Sequence, residues 1–302
     1  MFVTATQGDF RRNASRNPIG RSASVRATRS WFDAVMIKRS LVVVLLLAVF
    51  PTPAEAATGV DFTGTVALSG CSGAVVRTPS AKPSDTALVM SNGHCVKLMA
   101  AGEVLVGQPS DRAFTLLSPT GGATVGTLRA TSIAYATMTG TDVAFYRLDQ
   151  TYAQVEALGG KALELSPRRA AVGADIRVVS GYWKRMYSCE LDGFAHELRE
   201  GAWTWLDSIR YTAPCDTVGG TSGSPIVDAG SGKVVGINNT VNENGRRCTR
   251  NNPCEVDEAG AVTVRRGIGY GQQVHLAVPC IGADSAFTLS APGCGLPRPA
   301  DQ

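Results

Sequence analysis

Asp216-Thr217-Val218-Gly219-Gly220-Thr221-Ser222-Gly223-Ser224-Pro225-Ile226 is the stretch on which the reading of this chain turns. Ser222 sits among Gly219, Gly220 and Gly223. Glycines around one serine let the backbone turn sharply and keep the Oγ clear of neighbouring side chains. They also let main-chain N–H groups converge on one point, the requirement for holding an oxyanion, and the N–H groups of Gly220 and Ser222 are the candidates. A serine hydroxyl is a poor nucleophile at neutral pH unless a base takes its proton during attack. By itself the segment also reads as an ordinary Gly/Ser loop ahead of a strand. A base and an acid to orient it must therefore come from elsewhere.

Two earlier segments offer them. Leu88-Val89-Met90-Ser91-Asn92-Gly93-His94-Cys95 carries a histidine beside a cysteine, downstream of Cys71-Ser72-Gly73-Ala74-Val75-Val76. Gly140-Thr141-Asp142-Val143-Ala144-Phe145-Tyr146-Arg147-Leu148 sets an aspartate at the head of an apolar run. A lone histidine is more often structural than basic, and an aspartate in that place is often only a turn residue. Their joint order is more specific: His94, then Asp142, then Ser222 is the order of the chymotrypsin group and differs from those of subtilisins and α/β-hydrolases.

On these motifs, residues 57–302 resemble the chymotrypsin-like serine proteases, in particular the secreted bacterial branch that includes the glutamyl endopeptidase-like enzymes. The resemblance implies an all-β fold of two packed six-stranded antiparallel β-barrels with the active site in the cleft between them. It places His94 and Asp142 on the first barrel and Ser222 on the second, and pairs Cys71 with Cys95 to pin the histidine loop. It also implies the roles: Ser222 as nucleophile, His94 as general base and acid, Asp142 as its orienting partner. No metal or organic cofactor is implied. His196 and His275 have no motif around them and are expected to be structural or on the surface.

Further out, short runs recur between turn residues: Gly64–Leu68, Gly73–Arg77, Thr86–Met90, Ala113–Leu117, Val143–Leu148, Asp175–Ser180, Ser224–Val227, Lys233–Ile237 and Ala261–Arg265. Runs of this length, rich in Val, Ile, Thr and aromatics, read as strands. Many such strands suggest a sandwich or barrels, and periodicity alone does not choose between them. Thr151–Ala162 is the best helix or long-connection candidate, which divides the protein near its middle into a barrel over about 57–155 and another over about 156–302.

The N-terminal stretch is read apart from the fold. Met36-Ile37-Lys38-Arg39, the apolar run Leu41–Phe50 and Ala54-Glu55-Ala56 have the layout of a secretory signal over 36–56. The apolar run is too short for a bilayer, which needs roughly 20 residues. Residues 1–35 are Arg- and Ser-rich, and read either as an over-extended start ahead of Met36 or as a long leading region. Residues 1–56 hold eight Lys/Arg and three acids out of totals of 29 and 25, so 57–302 carries 21 basic and 22 acidic side chains, a net of −1. The apparent basicity therefore gives no support for a nucleic-acid partner. All eight cysteines (Cys71, Cys95, Cys189, Cys215, Cys248, Cys254, Cys280, Cys294) lie after the signal. An even count there reads as four disulfides made in an oxidising, extracellular compartment. The absence of any Cys-x-x-Cys spacing argues against a zinc site. Cys280–Cys294, Cys248–Cys254 and Cys189–Cys215 are candidate pairs, but connectivity does not follow from sequence.

Two departures from the resemblance bear on regulation and specificity. Digestive enzymes of the group carry an aspartate before the nucleophile that pairs with a freed N-terminus; Thr221 stands there, so that switch is not expected. Asp216, six residues before Ser222, falls where trypsin-like enzymes bind a cationic side chain. The glutamate-specific relatives carry a histidine where this chain has Asn238. Cationic, acidic and small or apolar preferences all stay open, with Asp216, Thr217, Asn238 and Asn239 as candidate pocket residues. The expected partners are protein or peptide substrates, with no nucleic acid, no membrane once the signal is removed, and a monomeric state. Two other functions fit the same residues: a catalytically silent binding protein on this scaffold, or an esterase using the same serine.

Overall fold

The computed structural model describes residues 59–213 and 215–300. The segment read as a secretory signal, and the stretch before it, lie outside these residues. The first sheet comprises β1 (Thr65–Leu68), β2 (Cys71–Arg77), β3 (Thr86–Ser91), β4 (Val104–Pro109), β5 (Ala113–Leu117), β6 (Thr124–Thr137), β7 (Val143–Thr151) and β8 (Leu163–Glu164). Six of them close into a barrel in the order β1-β5-β6-β7-β3-β2, with β2 pairing back onto β1; β4 flanks β6, and β8 adds to β2 in parallel. The second sheet comprises β9 (Asp175–Ser180), β10 (Arg185–Glu200), β11 (Trp203–Tyr211), β12 (Pro225–Asp228), β13 (Val234–Val241), β14 (Cys254–Val256), β15 (Val262–Thr263) and β16 (Gly269–Gln273). It too forms a ring, β11-β16-β13-β12-β9-β10, closed by the β10–β11 hairpin, with β14 and β15 hanging from β10. The fold is thus the expected pair of six-stranded antiparallel barrels.

Packing explains why some strands announce themselves. Leu88-Val89-Met90 in β3 is apolar without alternation because both of its faces are buried. Val89 points into the first barrel with Val75 and Phe114, whereas Leu88 and Met90 pack with Val179 and Val227 of the second. The other long strands hide. β10 alternates buried Tyr187, Cys189, Leu191 and Ala195 with exposed Ser188, Glu190, Asp192 and His196, and a glycine interrupts the run. β6 is similarly mixed, and the strand signals above miss β4, β6, β8, β10, β11, β14 and β16. The expected strand over Ala261–Arg265 shrinks to the two residues of β15, outside the ring.

The connection after the first barrel is a short helix, α1 (Tyr152–Ala157). Its start is a capping box: the Thr151 hydroxyl accepts from the Gln154 N–H, and the Gln154 side chain accepts from the Thr151 N–H. Four disulfides are present, Cys71–Cys95, Cys189–Cys215, Cys248–Cys254 and Cys280–Cys294, matching the candidate pairs. Among the described residues no helix is long and apolar enough to cross a membrane.

Candidate active site

His94 lies on a single 3₁₀ turn, Gly93–Cys95, that follows β3 and is tied to β2 by Cys71–Cys95. Asp142 immediately precedes β7 and is wholly buried. Its carboxylate meets His94 twice: Oδ2 lies 2.7 Å from the imidazole Nδ1, and Oδ1 accepts the His94 main-chain N–H at 3.1 Å. Asn92 donates its side-chain amide to the Asp142 carbonyl at 2.7 Å, so the aspartate is gripped at both its backbone and its carboxylate. Burial pulls the His94 pKa down, but the charge and hydrogen bond of Asp142 outweigh it and leave the imidazole pKa above the ordinary histidine value. With Nδ1 facing a carboxylate, the proton of the neutral ring belongs on Nδ1 and Nε2 is left to act as base.

Ser222 comes from the loop between β11 and β12. Gly220 and Gly223 hold φ values of 89° and 81°. At Gly223 a Cβ would stand 2.1 Å from the Ser72 carbonyl oxygen, so the loop can approach β2 this closely only with glycine there. From Gly219 to Ser222 each carbonyl accepts a bond from another element. Gly219 O accepts the Trp183 indole N–H at 2.8 Å, and Gly220 O accepts the Ser72 hydroxyl at 3.2 Å. Thr221 O accepts the Asn238 amide at 3.0 Å, and Ser222 O accepts the Ser72 N–H at 2.7 Å. The N–H groups of Thr221 and Gly223 reach Val218 O and Asn238 O, whereas those of Gly220 and Ser222 make no hydrogen bond among the described residues. The Ser222 hydroxyl donates to the Asn239 carbonyl at 3.3 Å rather than to His94.

One cleft is lined by His94, Asp142, Thr217, Ser222, Asn238 and Asn239. Asp216 is not among its lining residues and is exposed. Thr217 and Asn238 are buried in the wall. Asn238 is fully engaged, since its Oδ1 accepts from Tyr211 OH at 3.1 Å and its amide donates to both Thr221 O and Thr221 Oγ1 at 3.0 Å. The two departures noted in the sequence, at Thr221 and Asn238, therefore bond to each other. Tyr211 itself is completely buried, its ring packed against Gly269 and its hydroxyl against Gly271. His196 is exposed, and burial lowers the pKa of His275, which does not line the cleft.

Sequence reasoning missed several residues around the cleft. Glu200, at the end of β10, lines it while only 6% exposed; Thr240 Oγ1 and the Asn251 N–H donate to its two oxygens at 2.6 and 2.9 Å. Burial raises its pKa, and those two bonds and the nearby His94 partly counter the rise. Ser72 was visible beside Cys71, but nothing in its neighbours marked it. Trp183 sits with Tyr182 in the turn after β9, and the only clue was an aromatic pair placed where no strand continues.

Residues 71–237 match the family described as Trypsin-like peptidase domain. No functionally curated protein shows a significant sequence match. Among solved structures, the chain resembles the MamO protease domain from Magnetospirillum magneticum at 15% identity and a TM-score of 0.46, over 72% of this chain and 96% of that one. It resembles the active form of the Rv3671c protease from M. tuberculosis at 19% identity and a TM-score of 0.42, over 81% and 89% of the two chains. A Glu endopeptidase matches at 14% identity and a TM-score of 0.41, over 70% and 85%. Likeness at this level bears on none of the functional roles.

Proposed function

This chain belongs to the trypsin-like peptidase family, and on that premise we propose that it is a secreted serine endopeptidase working through an acyl-enzyme, with His94, Asp142 and Ser222 as its triad. The observation that carries the reading is the buried Asp142 bound to His94 Nδ1 at 2.7 Å in the same cleft as Ser222. In the first step Ser222 Oγ adds to the scissile carbonyl carbon and its proton passes to His94 Nε2. Asp142, still ionised, stabilises the imidazolium. The carbonyl oxygen becomes an oxyanion, for which the unpaired N–H groups of Gly220 and Ser222 are the donors. Each such donor typically lowers the barrier by roughly 3–4 kcal/mol. As the C–N bond breaks, His94 returns the proton to the leaving amine. Water then repeats the sequence on the ester and releases Ser222.

For the side chain before the cleaved bond we favour a small or apolar group. Thr217, Val218, Gly219, Asn238 and Val241 are uncharged residues of the cleft lining, which also takes in Glu200, Glu243 and Arg250, and Glu200 already has both carboxylate oxygens bonded by Thr240 and Asn251. The exposed Asp216 is poorly placed to bind a cation. Residues 36–56 act as the export signal in this reading, and four disulfides suit an oxidising destination. The substrates are proteins or peptides, met by a monomer.

Purified residues 57–302 should hydrolyse casein, and Ser222→Ala should reduce kcat by about 10⁶. A fluorophosphonate should label Ser222 alone. Equal casein turnover by the variant would overturn the assignment, and esterase activity without any peptide cleavage would reduce it to the esterase reading. Mapping cleavage sites on a digested proteome tests the preference, which fails if Lys, Arg, Asp or Glu dominates before the cut.

A further inference from the structure

The Gly219–Gly220 peptide opens on one side to free space and on the other to the Tyr182 and Trp183 rings. Nothing stands within 4 Å of a Cβ placed on Gly219, and neither residue has a side chain to resist rotation of the plane between them. That plane has two orientations with opposite consequences. In a trans peptide the C=O and the following N–H point in opposite directions. The orientation found here turns Gly219 O to the Trp183 indole N–H at 2.8 Å, so the Gly220 N–H faces away from Trp183. A flip would bring the carbonyl oxygen to where that N–H now points. It would also set the Gly220 N–H against the indole N–H, donor against donor.

Resting on the acyl-transfer reading above, we infer that Trp183 is a positioning residue: its indole N–H latches the Gly219–Gly220 peptide so that the Gly220 N–H is presented to the oxyanion. Trp183 is itself held. Its ring packs edge-on against Tyr182, with centroids 5.0 Å apart and planes at 86°, and a Cβ on Gly220 would meet both rings. Its main-chain N–H begins a chain of donors whose direction follows from counting hydrogens. Trp183 N–H donates to Ser180 Oγ at 3.2 Å. Ser72 Oγ accepts the Tyr182 N–H at 3.1 Å and gives its one proton to Gly220 O, so Ser180 must supply the proton of the 3.0 Å bond between the two hydroxyls. Indole and hydroxyl thus grip consecutive carbonyls, one from the turn after β9 and the other from β2. Trp183 is 50% exposed, so water competes for its N–H and the effect is limited to that of one hydrogen bond.

Trp183→Phe keeps an aromatic ring against Tyr182 and removes the N–H donor. The expected result is a kcat about five- to tenfold lower with KM within about twofold, because the lost interaction serves only the charged state. Affinity for a peptide boronic acid carrying the best substrate's sequence, whose tetrahedral adduct occupies the same hole, should fall by the same factor. Thermal unfolding of both proteins accounts for any folding defect, and the boronate-to-KM ratio reads the latch in whatever fraction is folded. Unchanged kcat and boronate affinity overturn the latch, and so does a rise in KM at constant kcat, which would make Trp183 a substrate contact. Ser222→Ala, run alongside, separates the two readings: full activity there removes the serine mechanism, whereas an inactive Ser222→Ala with an unaffected Trp183→Phe removes only the latch.

Discussion

In the first barrel the functional groups are held by side chains; in the second the serine is held by the backbone carbonyls of its own loop. His94 and Asp142 meet through a short, buried, charge-assisted contact, and a disulfide pins the turn that carries the histidine. From Gly219 to Ser222, by contrast, each carbonyl has a donor from another element: Trp183, Ser72, Asn238 and Ser72 again. The first arrangement tunes a proton affinity, which needs charge at close range. The second aims N–H groups, and that requires fixing peptide planes. Ser72 also carries a barrel-to-barrel link, because it lies on β2 yet bonds two carbonyls of the second barrel's loop. The two halves should therefore fail differently: one through electrostatics, the other through geometry.

The largest break is expected on the electrostatic side. Asp142→Asn keeps the shape but favours the wrong imidazole tautomer, and kcat should fall by about 10⁴, as is typical of such triads. A loss below tenfold would show that His94 does not depend on this carboxylate. Replacing Cys71 and Cys95 together by alanine should lower stability by about 3 kcal/mol through freedom returned to the unfolded chain, as read by urea unfolding. If the folded fraction of that variant keeps its kcat, the disulfide stabilises the barrel without shaping the site. On the geometric side, Asn238→Ala strands the buried Tyr211 hydroxyl and removes both amide bonds to Thr221, and should cost about 2–3 kcal/mol in the same assay. A Thr221→Ala/Asn238→Ala double variant should cost less than the sum of the two singles, since they share a bond; strict additivity would contradict the pairing.

The smallest effect expected is on pH. Protonated His94 cannot accept the serine proton, so kcat/KM should fall as pH drops through the His94 pKa. Because Asp142 raises that pKa despite burial, the acid limb should centre above about 6.5. In Asp142→Asn the charge is gone and burial remains, so the residual activity should show a limb shifted to lower pH. A limb that stays put would mean that it reports another group; Glu200, whose pKa burial also raises, is the nearest alternative.

What could be read in advance depended on how local each signal was. β2, β3 and β7 were legible because both faces are buried and their apolar runs are continuous. β10 and β11 were not: their solvent-facing positions carry charges, and Gly193 and Gly201 look like breaks in a strand. The consequence reached the site, because Glu200 ends an unrecognised strand. Asp216 shows the opposite error of locality. Its spacing from Ser222 suggested a pocket residue, yet the chain leaves it exposed and outside the cleft.

The identity and order of His94, Asp142 and Ser222, the glycines that permit the loop, and the cysteines available for pairing are written in the residues themselves. These are properties of residue type and spacing, and chemistry constrains them directly. That Asn238 bonds Thr221 and Tyr211, and that Trp183 reaches Gly219, follows only from the folded chain. Those contacts join residues 17 to 36 positions apart through hydrogen bonds that any donor of suitable reach could make. Only the closure of the second ring brings them within range.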